Sequence, residues 1–137
     1  MNQAYDNLRY DLAIGAIDFL TDNIKATLVK SSYVVDPTHA DLADLGAHVV
    51  SGITPQPLFV TAVEPDGFVK ANSIVFTGAP TAIMVGAVIL YVDRGSGVTE
   101  LLWYFDSGTG FPLLTTGAGI TVDWNGTAAN GIVFKIN

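Results

Sequence analysis

The chain has 137 residues, six Lys and Arg against thirteen Asp and Glu for a formal net charge of −7, and no cysteine. That length suits a single domain, 1–137, with a core of its own. The charge argues against nucleic acid, because neutralising phosphates takes clustered Lys and Arg, and the missing cysteines exclude disulfides, thiolate nucleophiles and cysteine metal sites.

Only 14% of residues are charged, against about 25–35% on a freely soluble surface, and the mean hydropathy is +0.43. A surface this poor in charge is expected to be covered by other subunits, copies of the same chain among them. The longest apolar run, near Ala82 to Val92, is shorter than the roughly 20 residues that cross a bilayer, so no membrane role is expected. The opening MNQAYDNLRYDL lacks the basic-then-apolar order of a signal peptide, which leads to the expectation of a soluble protein made in a cytoplasm.

Tyr5, Leu8 and Leu12 recur at helical spacing, with Asp6 near the start and Gly15 as a stop. Residues 1–16 therefore read as an N-terminal helical arm. Ile24 to Lys30 reads as a half-buried strand with Ile24, Ala26 and Leu28 facing in and Lys25 and Thr27 facing out. Ser31 to Gly46 is the most polar stretch; Thr38 with Asp41 three residues later resembles a capping box, and a short helix is expected near 38–45.

Prolines at 55 and 57 exclude a central strand there. Leu58 to Glu64 alternates weakly, Pro65-Asp66-Gly67 is a turn, Phe68 to Lys70 returns, and Ser73 to Thr77 is another short strand. The stretch Ala82 to Asp106 is the expected centre of the sheet. Ile83, Val85, Ile89 and Tyr91 occupy one alternation phase and Met84, Val88, Leu90 and Val92 the other, so both faces are expected to be covered. Asp93-Arg94-Gly95-Ser96-Gly97 is the hairpin break before Leu101 to Phe105. Asp106 to Gly119 reads as a long Gly/Thr loop. Ile120, Val122 and Trp124 form a strand, Asn125-Gly126 turns, and Ile132, Phe134 and Ile136 close the chain.

These elements predict a mainly β domain, an antiparallel β-sandwich or flattened barrel of about eight strands, with two short helices as accessories.

The residue types that perform catalysis are present without their patterns. Ser31, Ser32 and Ser51 lie in no nucleophile elbow, and neither His39 nor His48 sits in a recognised motif. Asp41 and Asp44 could meet on one helix face, but solvation is the usual fate of such a pair. Asp36, His39, Asp41 and Asp44 are metal-ligand types without ligand spacing, and caps explain them. Gly108-Thr109-Gly110 and Gly117-Ala118-Gly119 lack the Lys and helix of a phosphate loop. Asn125-Gly126-Thr127 is formally a sequon and reads better as a turn. No enzyme, metal or cofactor is expected.

Several segments together carry a resemblance. Ile24 to Tyr33, Pro37-Thr38-His39, Val49 to Gly52, Ala87 to Asp93 and Ile120 to Asn125 resemble a family of small bacteriophage structural proteins. Its members read as a strand ending in Ser-Ser-Tyr, a Thr-His helix, a valine-serine-glycine turn, a tyrosine-bearing central strand and a terminal Trp-Asn. The resemblance runs from Asp18 onward; Thr54 to Pro57 replaces an expected glycine-rich run. It implies a virion component, with a capsid decoration or cement subunit bound to the major capsid protein on the capsid surface as the leading expectation. The alternative is a tail or head-fibre component that recognises a host glycan through loops such as Asp106 to Gly119. Residues apolar in sequence yet outside clear strands are the expected contacts: Tyr5, Leu8, Leu58, Phe59, Phe111 and Leu113.

Overall fold

Two long antiparallel strands, β7 (Thr81–Gly95) and β8 (Val98–Phe105), form the centre of the fold. The computed structural model describes residues 2–65, 67–106, 111–124 and 131–135, the last group as backbone. Ser96 and Gly97, both at positive φ, make the two-residue turn between the strands, the kind whose twist matches that of the strands it joins. The main sheet has the order β1–β8–β7–β2–β3, with β1 (Gln3–Ala4), β2 (Ile24–Lys30) and β3 (Gln56–Pro57); β9 (Leu113–Thr116) also pairs with β7, near the start of that strand. Two smaller antiparallel sheets complete the fold. One joins β6 (Ile74–Phe76) to β10 (Ile120–Val122), and the other runs β4 (Val60–Val63), β5 (Phe68–Ala71), β11 (Gly131–Lys135). Among the described residues the architecture is sandwich-like and no closed barrel forms.

The apolar content of β2, β7 and β8 on both alternation phases is explained by two cores. The larger packs Ala26, Leu28, Val88, Leu90 and Phe105 against Val69, Ala71, Phe76 and Val122 of the small sheets, with Trp124 beside them. Phe105 and Trp124 meet edge to face at 4.8 Å, a geometry worth about 0.5–1.5 kcal/mol beyond area burial. The smaller core lies on the other phase: Val29, Ala87, Ile89, Tyr91, Leu101 and Tyr104 pack with Tyr5, Tyr33 and Leu45.

The alternation is not continuous. Val85 belongs to the larger core although its parity is that of Ile89, because the register slips there: Val29 pairs with Ala87 and Lys30 with Val85, leaving Gly86 over. A Cβ on Gly86 would lie 2.8 Å from the Ser31 Cα. The glycine therefore permits β2 and β7 to approach each other at the bulge. A second slip leaves Leu102 unopposed, between Leu90–Trp103 and Tyr91–Leu101, and a third leaves Arg94 unopposed near the turn.

Helix α1 (Asp6–Ile14) ends on Gly15 in the left-handed region, with the Ala16 N–H donating to the Asp11 carbonyl, a Schellman ending. Its inward residues are Leu8 and Asp11, with Leu12 half-buried. The helix expected near 38–45 forms later, as 3₁₀ turns over Leu42–His48 broken by a kink at Gly46 (φ 55°) and capped by Asp41, whose capping-box partner is Asp44. Asp41 provides the cap rather than Thr38, whose hydroxyl is engaged by Asp36. Thr27, expected outside, is buried, because residues 33–49 cover that face of the sheet.

Further departures concern short elements: β1 and β3 are two-residue pieces, and β9 occupies part of the expected 106–119 loop. Among the described residues eleven strands form rather than about eight. The expected Asn125-Gly126 turn, residues 107–110 of the expected loop, Asp66 of the Pro65-Asp66-Gly67 turn and Ile136 fall outside the described residues, as do the side chains of Ile132 and Phe134.

Candidate functional site

Apolar side chains that the fold leaves outside are the raw material of an interaction surface, and the six expected contact residues divide sharply. Tyr5, Leu8 and Leu58 are buried within the chain itself. Tyr5 enters the smaller core, Leu8 faces the larger one from α1, and the Leu58 N–H donates to the Ile24 carbonyl, holding that side chain inward. Phe111 and Leu113 are half-buried against the larger core. Phe59 alone of the six stands out, at 62% exposure.

Other exposed apolar residues escaped the sequence reading. Tyr10 and Ile14 stand one helical turn apart on the outer face of α1, both more than half exposed; residues four apart on a helix are neighbours. Met84 and Leu114, cross-strand partners on β7 and β9, are also exposed. Val34, on the segment covering the smaller core, is the most exposed at 82%. The i,i+4 spacing of Tyr10 and Ile14 on the helix face opposite Leu8 was a legible signal; the Met84–Leu114 pair needed knowledge of β9.

The covering segment is uniformly acidic in its charges, since no Lys or Arg occurs between Lys30 and Lys70. Asp36 is held below the ordinary aspartate value by the Thr38 hydroxyl and backbone N–H, and Asp44 by the backbone N–H groups of Ala40 and Asp41. These carboxylates cap backbone. No group of three or more His, Cys, Asp and Glu suited to holding a metal ion occurs among the described residues.

Beneath this cover runs a hydrogen-bonded chain. The Tyr5 and Tyr33 hydroxyls are 2.9 Å apart, Tyr33 Oη is 2.9 Å from His39 Nδ1, and His39 Nε2 is 3.9 Å from Asp36 Oδ2. Both hydroxyl protons find acceptors when Tyr5 donates to Tyr33 and Tyr33 donates to an unprotonated Nδ1, leaving the Nε2–H toward Asp36. Burial, then the Tyr33 hydrogen bond, pushes the Tyr5 hydroxyl far above its usual range, so the ring stays neutral. The chain ties the polar cover to the sheet.

His48 Nδ1 lies 3.0 Å from Ser32 Oγ, an exposed contact. It brings together one Ser and one His of those weighed above, but no carboxylate forms an ion pair with His48 among the described residues. A base without an orienting group is a weak activator of a hydroxyl.

The second polar cluster surrounds Arg94, the residue left over in the bulge beside the β7–β8 turn. Its Nε donates to Glu100 at 2.8 Å and its NH2 to the Ala16 carbonyl at 2.7 Å; its NH1 is 3.5 Å from Asp22 and its NH2 3.5 Å from Asp11 Oδ2. Glu100, with lesser help from Asp22 and Asp11, raises the guanidinium above its already high range. One cation thus gathers groups from α1, the segment after it, the turn before β2, and β8. No family model matches the chain, and neither a curated protein nor a solved structure shows a significant match to it.

Proposed function

We propose that the protein is a non-catalytic virion structural subunit, a capsid decoration or cement protein that binds the outer shell and copies of itself through apolar contacts. The observation that carries this reading is the exposed apolar surface. Among the described residues, ten large apolar side chains are at least 40% exposed, in a chain with only 14% charged residues. Apolar burial contributes about 25 cal/mol per Å², so contacts that are modest singly become strong when repeated over a symmetric shell.

The resemblance of Ile24 to Tyr33, Ala87 to Asp93 and Ile120 to Asn125 to phage structural proteins supports the same reading.

The test is to add the purified protein to undecorated capsids and to titrate salt and chelator. Binding that survives both, and weakens when Phe59 is replaced by Ser, supports the proposal. Release by chelator points to a metal-dependent contact, and affinity for a host glycan without capsid binding points to a fibre component; either result overturns it.

A further inference from the structure

A carboxylate on the inward face of a helix is an expensive choice unless its charge is matched or absent. Asp11 is 3% exposed, and its Oδ2 has no hydrogen-bond partner. The neighbouring guanidinium does not satisfy it. Arg94 donates through Nε to Glu100 and through NH2 to the Ala16 carbonyl, and Asp11 Oδ2 lies 3.5 Å from the same NH2, at ion-pair distance but without a hydrogen bond. The groups facing Asp11 are Arg94 of β7 and Glu100 of β8, with Asp22 across the same guanidinium. With Asp11 ionised, these four groups carry one positive and three negative charges.

We propose that Asp11 is a proton-controlled latch: protonated, it donates to Glu100 and holds α1 on the β7–β8 hairpin, and on losing its proton it loosens the N-terminal segment. The proton comes from solvent and returns to it. The neutral acid adds a donor toward Glu100 and brings the cluster's net charge from −2 to −1. Burial, then the nearby Glu100, raises the affinity of Asp11 for its proton, outweighing Arg94. A group that binds its proton more tightly when folded adds stability fully present below its unfolded value of 3.8, and lost as pH rises through the folded value. The segment is thus held hardest in acid and released as pH rises. This inference does not depend on the capsid reading.

The experiment is amide hydrogen exchange on the full chain across about pH 4 to 8, comparing protection factors in α1 with those in β7, together with the 13C shift of the Asp11 carboxyl. In the wild type the α1 protection should fall relative to β7 by up to about tenfold per pH unit through the titration, and the carboxyl should titrate above 3.8. Asp11→Asn, which keeps the donor and cannot ionise, should hold α1 protection flat against β7. A flat wild-type ratio, an Asp11→Asn ratio that falls like wild type, or a carboxyl ionised at or below the ordinary value overturns the latch. The carboxyl titration needs no substitution, so it decides the matter even if the variant folds poorly.

Discussion

Replacing Tyr33 with Phe should cost more than replacing Tyr5 with Phe, although both changes delete a hydroxyl from the same hydrogen bond. In Tyr5→Phe, Tyr33 still donates to His39 Nδ1, so the loss is one net hydrogen bond, about 0.5–1.5 kcal/mol. In Tyr33→Phe, the Tyr5 hydroxyl remains in a fully buried site with its acceptor gone. Stranding it costs about 1–3 kcal/mol, while His39, half-buried, can recruit water. Adding Tyr5→Phe to the Tyr33→Phe variant removes the stranded hydroxyl, so the second substitution should cost about zero or restore stability. The cycle is measured by urea denaturation of the wild type, the two single variants and the double, with m-values checked for constancy. A Tyr5→Phe cost that is the same in both backgrounds would refute the stranded-hydroxyl reasoning and place the Tyr5 proton on another acceptor.

Gly86→Ala should destabilise by about 1–3 kcal/mol by overpacking, because its Cβ would meet the Ser31 backbone, which cannot swing aside as a side chain would; a thermal melt matching wild type would show that the bulge relaxes freely. Ile89→Ala, fully buried in the smaller core, should cost about 2–5 kcal/mol through cavity formation, read from the denaturation midpoint. Asp36, Asp44 and Asp93 are held low, by Thr38, by the Ala40 and Asp41 N–H groups, and by the Gly95 N–H with Lys25. Their contribution is therefore present above the unfolded value of 3.8 and lost as pH falls through the folded values, opposite in sign to Asp11. In a pH series of urea melts, Asp44→Asn should be less stable than wild type at pH about 5, with the gap closing toward pH about 2; a constant gap would deny the linkage.

The residues that dictate local structure had their effect where they stand. Alternating apolar residues and a glycine pair placed the β7–β8 hairpin, Gly15 ended α1, the prolines at 55 and 57 confined β3 to the sheet edge, and the two-phase apolar pattern of Val88 to Val92 announced a strand covered on both faces. These are short-range effects of backbone freedom and periodicity, and they are present in any contiguous stretch of sequence.

What covers each face was decided by the tertiary structure. Tyr5 and Leu8 look like free contacts because helix and arm residues carry no record of their partners; the docking of α1 and β1 on β8 buries them. The flip of Val85 to the other core depends on one unpaired residue, Gly86, and a bulge is set by the pairing of two strands far apart in sequence. Arg94 is an ordinary turn residue in the sequence, and becomes the centre of a charged cluster because the bulge aims it at groups from four separate segments. Burial of Asp11 follows from that arrangement: a carboxylate's environment is fixed by what long-range folding brings beside it, while helical spacing reports only the face on which it stands.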